Sequence, residues 1–239
     1  MKHGKRMIAV GIVLVVLLAA MIYVETYYHA APEAIAALSS SDQIQVSKTE
    51  DGWFFDGPSE TAALIFYPGG KVEETAYAPF LKRLAEKGMD VFLVRMPLRL
   101  AIFDMDAADR IRRGHSYSSW VIGGHSLGGV IASEYAGKHA DDLDGLILLA
   151  SYSIRSLPES LNTIVIYGSE DRILNQRSYA ANHSHLPENT KEFVIEGGNH
   201  AQFGCYGTQM GDGTPKITGD EQIQKTTDLI IQSVFLNKK

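Results

Sequence analysis

The stretch Trp120-Val121-Ile122-Gly123-Gly124-His125-Ser126-Leu127-Gly128-Gly129 decides how the rest of the chain is read. It opens as an apolar, strand-like run and passes through G-x-S-x-G at Gly124–Gly128. It then enters Val130–His139, which has the pattern of a helix. A serine between a strand and a helix sits in a tight turn. Small residues two places before and after it let the backbone take a strained conformation. Such a turn lifts the hydroxyl above the carboxyl end of the strand. It also aims the first amides of the helix at any oxyanion formed there. Ser126 is therefore the candidate nucleophile and the Leu127 amide a candidate oxyanion donor. The plainer alternative is a Gly-rich turn with a capping serine.

A serine nucleophile needs a base, and the base needs an acid to orient it. In a parallel sheet both are expected in loops after later strands. Thr163–Tyr167 runs into Gly168-Ser169-Glu170-Asp171-Arg172, and Glu192–Ile195 runs into Glu196-Gly197-Gly198-Asn199-His200. The expected order is Ser126, Asp171, His200. Glu170 is the rival acid. His115, just before the nucleophile strand, is the rival base. His125 is too close in the chain to reach back to its neighbour, and His139, His183 and His185 read as solvated. The second oxyanion donor is expected in Pro68-Gly69-Gly70-Lys71, after the apolar run Ala62–Tyr67. Gly70 is the preferred amide, with Lys71 the alternative. Met96, Pro97 and Leu98 either line the pocket or simply pack. The Gly-rich loop Phe203–Thr218 reads as a surface loop that borders the site at most.

Around these motifs, strands alternate with helices. Ile44–Thr49 and Trp53–Asp56 form a hairpin through Asp51-Gly52. Tyr77–Glu86, Arg99–Arg113, Val130–His139 and Asp220–Phe235 read as helices. Asp90–Arg95 and Gly145–Ala150 read as strands. Alternation of this kind implies an α/β fold, a mostly parallel sheet flanked by helices. Runs such as Leu64-Ile65-Phe66-Tyr67 are apolar on both faces, as a sheet covered on both sides requires. Only Ser151–Asn162 separates the strand after the nucleophile helix from the strand before the acid. Twelve residues are too few for a cap domain.

The chain has 239 residues, one cysteine, and 22 basic against 28 acidic residues, a net charge of −6. A lone Cys205 excludes an internal disulfide and any Cys-rich metal site. The acidic balance argues against nucleic acid as a partner. Met7–Val24 is eighteen residues without a charge, preceded by Lys2, Lys5 and Arg6. As a helix it covers ~27 Å, most of a ~30 Å hydrocarbon core. The basic flank predicts that the remainder lies outside the cytoplasm. Residues 1–30 are thus expected to be a membrane anchor, with a cleaved signal segment and a secreted domain as the alternative. Residues 31–43 read as a linker or frayed helix, and residues 44–239 as the folded domain.

From about Ile44 onward the chain resembles the α/β-hydrolase family. The resemblance rests on the elbow Gly124-His125-Ser126-Leu127-Gly128, the acid in Gly168-Ser169-Glu170-Asp171-Arg172-Ile173 and the histidine in Gly197-Gly198-Asn199-His200-Ala201-Gln202-Phe203-Gly204. Where the family commonly has His-Gly in its oxyanion loop, this chain has Pro68-Gly69. The resemblance implies a serine hydrolase that works through an acyl-enzyme without a cofactor. The short Ser151–Asn162 connection, which leaves no lid, makes a small, short-acyl ester the expected substrate, and no histidine–carboxylate grouping points to a metal. Acyl transfer or peptide cleavage by the same three residues, or binding without catalysis, are the alternatives. A hydrolase fold alone does not choose among them.

Overall fold

The computed structural model describes residues 2–58 and 61–235, with the side chains of residues 2–6, 8, 9 and 235 outside that description. The chain opens with helices α1 (Lys2–Glu25) and α2 (Pro32–Ala36) and the strands β1 (Gln45–Lys48), β2 (Gly52–Asp56) and β3 (Ala62–Tyr67). Then come α3 (Ala78–Glu86), β4 (Asp90–Val94), α4 (Ala107–Gly114), β5 (Ser119–His125), α5 (Leu127–Lys138) and β6 (Gly145–Leu149). The last elements are β7 (Asn162–Gly168), α6 (Gln176–Asn182), β8 (Lys191–Ile195) and α7 (Gly219–Phe235).

The described strands form one eight-stranded sheet in the order β1-β2-β4-β3-β5-β6-β7-β8. β2 pairs antiparallel with β1 and β4, and every other pairing is parallel. Side chains alternate between the two faces of a strand. Leu64, Phe66, Val91, Leu93, Ile147 and Ile166 meet α3 and α7 on one face. Ile65, Tyr67, Phe92, Leu146, Leu148 and Val165 meet α4, α5 and α6 on the other. Both faces are covered, which is why β3 and β6 are fully buried along their length. Residues 150–161, between β6 and β7, contain only bends and turns. Among the described residues no cap domain stands over the sheet, as expected.

Two expectations change. The helix expected over Arg99–Arg113 is broken into single turns at Pro97–Arg99 and Ala101–Phe103, followed by α4. Leu98 and Arg99 have φ of 52° and 58°, which a helix cannot accommodate. Long-range partners hold Arg99 there. The Arg99 carbonyl accepts from the Lys71 amide at 2.9 Å, and its guanidinium lies 3.2 Å over the Tyr27 ring.

Residues 31–43, read as a linker or frayed helix, contain the short α2, whose Ala34 is fully buried. The expected transmembrane helix is not found either: among the described residues no helix is long and apolar enough to cross a membrane. The contiguous described side chains of the apolar run, residues 10–24, would cover only ~22 Å. Lys2, Lys5 and Arg6, the expected basic flank, lie outside the described side chains.

Candidate active site

Ser126 sits between the last residue of β5 and the first of α5, with φ 52° and ψ −123°. A non-glycine residue is rarely held there. The sharpness of the turn requires glycine on either side. A Cβ on Gly128 would lie 2.3 Å from the carbonyl oxygens of Tyr67 and Pro68, and one on Gly124 would lie 2.6 Å from the Gly128 backbone. The strain is held by bonds on both sides. The Ser126 amide donates to Leu149 O at 2.9 Å, and its carbonyl accepts from Ser151 Oγ at 2.8 Å. Leu127 is the first residue of α5, so its amide has no acceptor within the helix.

His200 and Asp171 come from the loops after β8 and β7, and both are buried. His200 Nδ1 donates to Asp171 Oδ2 at 2.9 Å. Asp171 Oδ1 accepts from the amides of Ile173 and Leu174 at 2.9 and 2.8 Å. The carboxylate is therefore held from both ends, and it holds Nδ1 in the protonated form. Nε2 is left as the accepting nitrogen. Ser126 and His200 line one cavity of about 220 Å³, with Leu127, Val130, Tyr152 and Ile173 among its walls.

The rivals separate by geometry. Glu170 pairs with Lys216, whose ammonium holds its carboxyl below the usual carboxylate range. His115 is exposed and lies against Phe54 and Phe92. In the loop after β3, the Lys71 amide is committed to Arg99 O. The Gly70 amide has no hydrogen-bond partner among the described residues, and a Cβ on Gly70 would meet the Leu127 side chain at 3.0 Å. Gly70 thus faces the start of α5, while Lys71 is turned away.

With eight strands in this order and the serine at the β5–α5 turn, one finding decides the family: a model described as the alpha/beta hydrolase family matches residues 63–224. The chain belongs to the alpha/beta hydrolase family. Three solved structures share the fold. A carboxylesterase of Bacillus subtilis is 9% identical at a TM-score of 0.57, covering 85% of this chain and 95% of its own. A Paleococcus ferrophilus monoacylglycerol lipase is 13% identical at 0.57, covering 80% and 99%. A thermophilic esterase of Thermogutta terrifontis is 14% identical at 0.51, covering 81% and 92%. Curated proteins include no significant match to the chain.

Two features of this α/β-hydrolase were not foreseen from its sequence. The first is the role of the loop after His200. Asp212 accepts from the amides of Ala201, Gly213 and Arg172, and Asn199 donates to Gly213 O. The expected surface loop Phe203–Thr218 therefore ties the acid and base loops together from behind, and its residues do not line the cavity. Its glycines and Asp212 were the available signal, but they read equally as a solvated turn.

The second is a strap after α1. The Tyr28 amide donates to Lys71 O at 2.8 Å, and the Glu73 amide donates to Tyr28 O at 2.9 Å. Ala30 donates to the Glu73 carboxylate and Ala31 to Cys205 O. The Lys71 ammonium lies 3.9 Å over the Tyr23 ring. Residues 23–31 are laid across the loop that carries Gly70, so the end of the expected anchor segment is part of the site's support. Met96 is buried in the core and Leu98 is exposed, and neither lines the cavity at Ser126.

Proposed function

We propose that this α/β-hydrolase is a serine esterase that cleaves small, short-acyl carboxylic esters through an acyl-enzyme. The carrying observation is the Asp171–His200 hydrogen bond beside the strained Ser126, with Ser126 and His200 on one small cavity. His200 Nε2 takes the Ser126 Oγ proton as Oγ adds to the ester carbonyl. The amides of Leu127 and Gly70 receive the oxyanion. The imidazolium returns its proton to the departing alkoxide, leaving the acyl group on Ser126. Water then repeats the sequence and releases the carboxylic acid. Each step uses groups of this chain. Esterase and lipase neighbours on the same fold agree with the reading. Labelling by a fluorophosphonate, with the adduct mapped to Ser126, tests it directly, and an unlabelled protein contradicts it.

The substrate's size follows from the site. The cavity of about 220 Å³ has no cap above it. A fully buried methylene contributes ~0.8 kcal/mol, about fourfold in kcat/KM. An open site collects that gain only for the first few carbons. Along a p-nitrophenyl ester series from acetyl to palmitoyl, kcat/KM should peak at short chains and then stay flat or fall. A steady rise to palmitoyl contradicts an open site.

The reading includes a location outside the cytoplasm, with α1 holding the domain at a membrane. In support, the large apolar side chains of α1 from Val10 to Tyr23 are each more than half exposed. The strap sharpens the test. Deleting residues 1–22 should free the protein from the membrane pellet and leave its turnover intact. Deleting residues 1–31 should lower turnover about tenfold or more, because the Gly70 loop loses its bonds to Tyr28. Equal activity of the two truncations contradicts the strap's role. A wild-type protein already absent from the pellet contradicts the location.

A further inference from the structure

We infer that Tyr77 and His125 are positioning residues that tie the oxyanion loop to the nucleophile turn and keep His125 neutral beside the base; this rests on the esterase reading above. Tyr77 lies in the single turn before α3, and His125 is the last residue of β5. Both are buried. The Gly69 amide donates to Tyr77 Oη at 3.0 Å, and Tyr77 Oη lies 2.8 Å from His125 Nδ1. The contact is close from all sides: a Cβ on Gly69 would fall 2.7 Å from Tyr77 Oη and 2.9 Å from His125 Nδ1. One oxygen thus joins the residue before Gly70 to the residue before Ser126.

The proton count assigns the roles. Tyr77 Oη accepts from Gly69 and has one proton of its own to give. The nearest buried acceptor is His125 Nδ1, so Nδ1 is unprotonated and the hydrogen sits on Nε2. Nε2 is buried without a well-formed hydrogen bond, and the His125 ring centre is 4.4 Å from that of His200. The titratable groups facing His125 are Tyr77 and His200, with Phe203 against the ring. A second proton on His125 would strand the Tyr77 hydroxyl without an acceptor. It would also set a cation against the imidazolium that forms on His200 during turnover. Burial and the His200 charge push His125 well below its ordinary pKa, the His200 backbone working weakly the other way.

Tyr77→Phe removes one oxygen and leaves the shape of the core. It should lower kcat about 10- to 100-fold with KM little changed, because the Gly70 amide loses its fixed place relative to Ser126. The rate of fluorophosphonate labelling should fall in parallel. His125→Asn, which keeps an acceptor near the Nδ1 position, should retain more activity than His125→Leu. In the wild type, nitrogen NMR of the imidazole should show His125 as the neutral Nε2–H form from about pH 5 to 8. That measurement needs no variant to fold. Folded Tyr77→Phe with wild-type kcat and labelling rate overturns the inference, as does a protonated His125 in that range. Wild-type protein that is not labelled at Ser126 overturns the esterase reading itself and this inference with it.

Discussion

Ser126→Ala should reduce kcat by about 10⁴- to 10⁶-fold and abolish covalent labelling by a serine-directed probe. The substitution removes one oxygen from a residue whose neighbours have shaped themselves around an unfavourable backbone angle. Alanine meets the same strain at φ 52° as serine, so the turn has no reason to change. Bonds from Leu149 and Ser151 reach only the Ser126 backbone and persist in the variant. Circular dichroism and the melting temperature should therefore match the wild type while turnover is lost. Residual labelling at another site in the variant, with turnover kept, would place the nucleophile elsewhere.

The second large effect concerns the pair behind the serine. His200→Ala should cost nearly as much as Ser126→Ala, since residues acting as one unit lose activity non-additively. Asp171→Asn should cost about 10⁴-fold by a different route. The amides of Ile173 and Leu174 both donate to Oδ1, so asparagine must keep its oxygen there and turn its NH₂ toward His200. An NH₂ facing Nδ1 makes Nδ1 the acceptor and moves the imidazole proton to Nε2. That tautomer cannot take the Ser126 proton. Glu170→Gln should change turnover little, since it loses only an exposed pair with Lys216. The check is kcat for the three variants with a p-nitrophenyl acetate substrate. A larger loss from Glu170→Gln than from Asp171→Asn would reassign the acid.

Much of the architecture was written in local pattern. Ala62–Tyr67 emerged with the expected bounds, and the other strands within one or two residues, because apolar runs bounded by glycine and aspartate turns are short-range signals. The elbow was legible for the same reason: its strain demands small residues at fixed offsets from Ser126. The order Ser126, Asp171, His200 needed only the inference that loops after parallel strands gather at one end of a sheet. By contrast, the helix over Arg99–Arg113 failed. Its composition suits a helix, but Arg99, at positive φ, is held by Lys71 and Tyr27 from distant parts of the chain.

The sequence by itself determined the α/β class, the order of elements and which three loops would meet. Those properties depend on spacing and periodicity, which are local. Tertiary structure alone decided between chemically equal neighbours. Asp171 and Glu170 differ by one step along a turn, yet one meets His200 and the other meets Lys216. Gly70 and Lys71 each offer an amide, and only the Arg99 carbonyl removes the second. The pairing of Tyr77 with His125 spans 48 positions, and Tyr28 reaches Lys71 across a similar distance. Such choices turn on which way a few atoms point once the sheet has closed, and no periodicity in the chain records that.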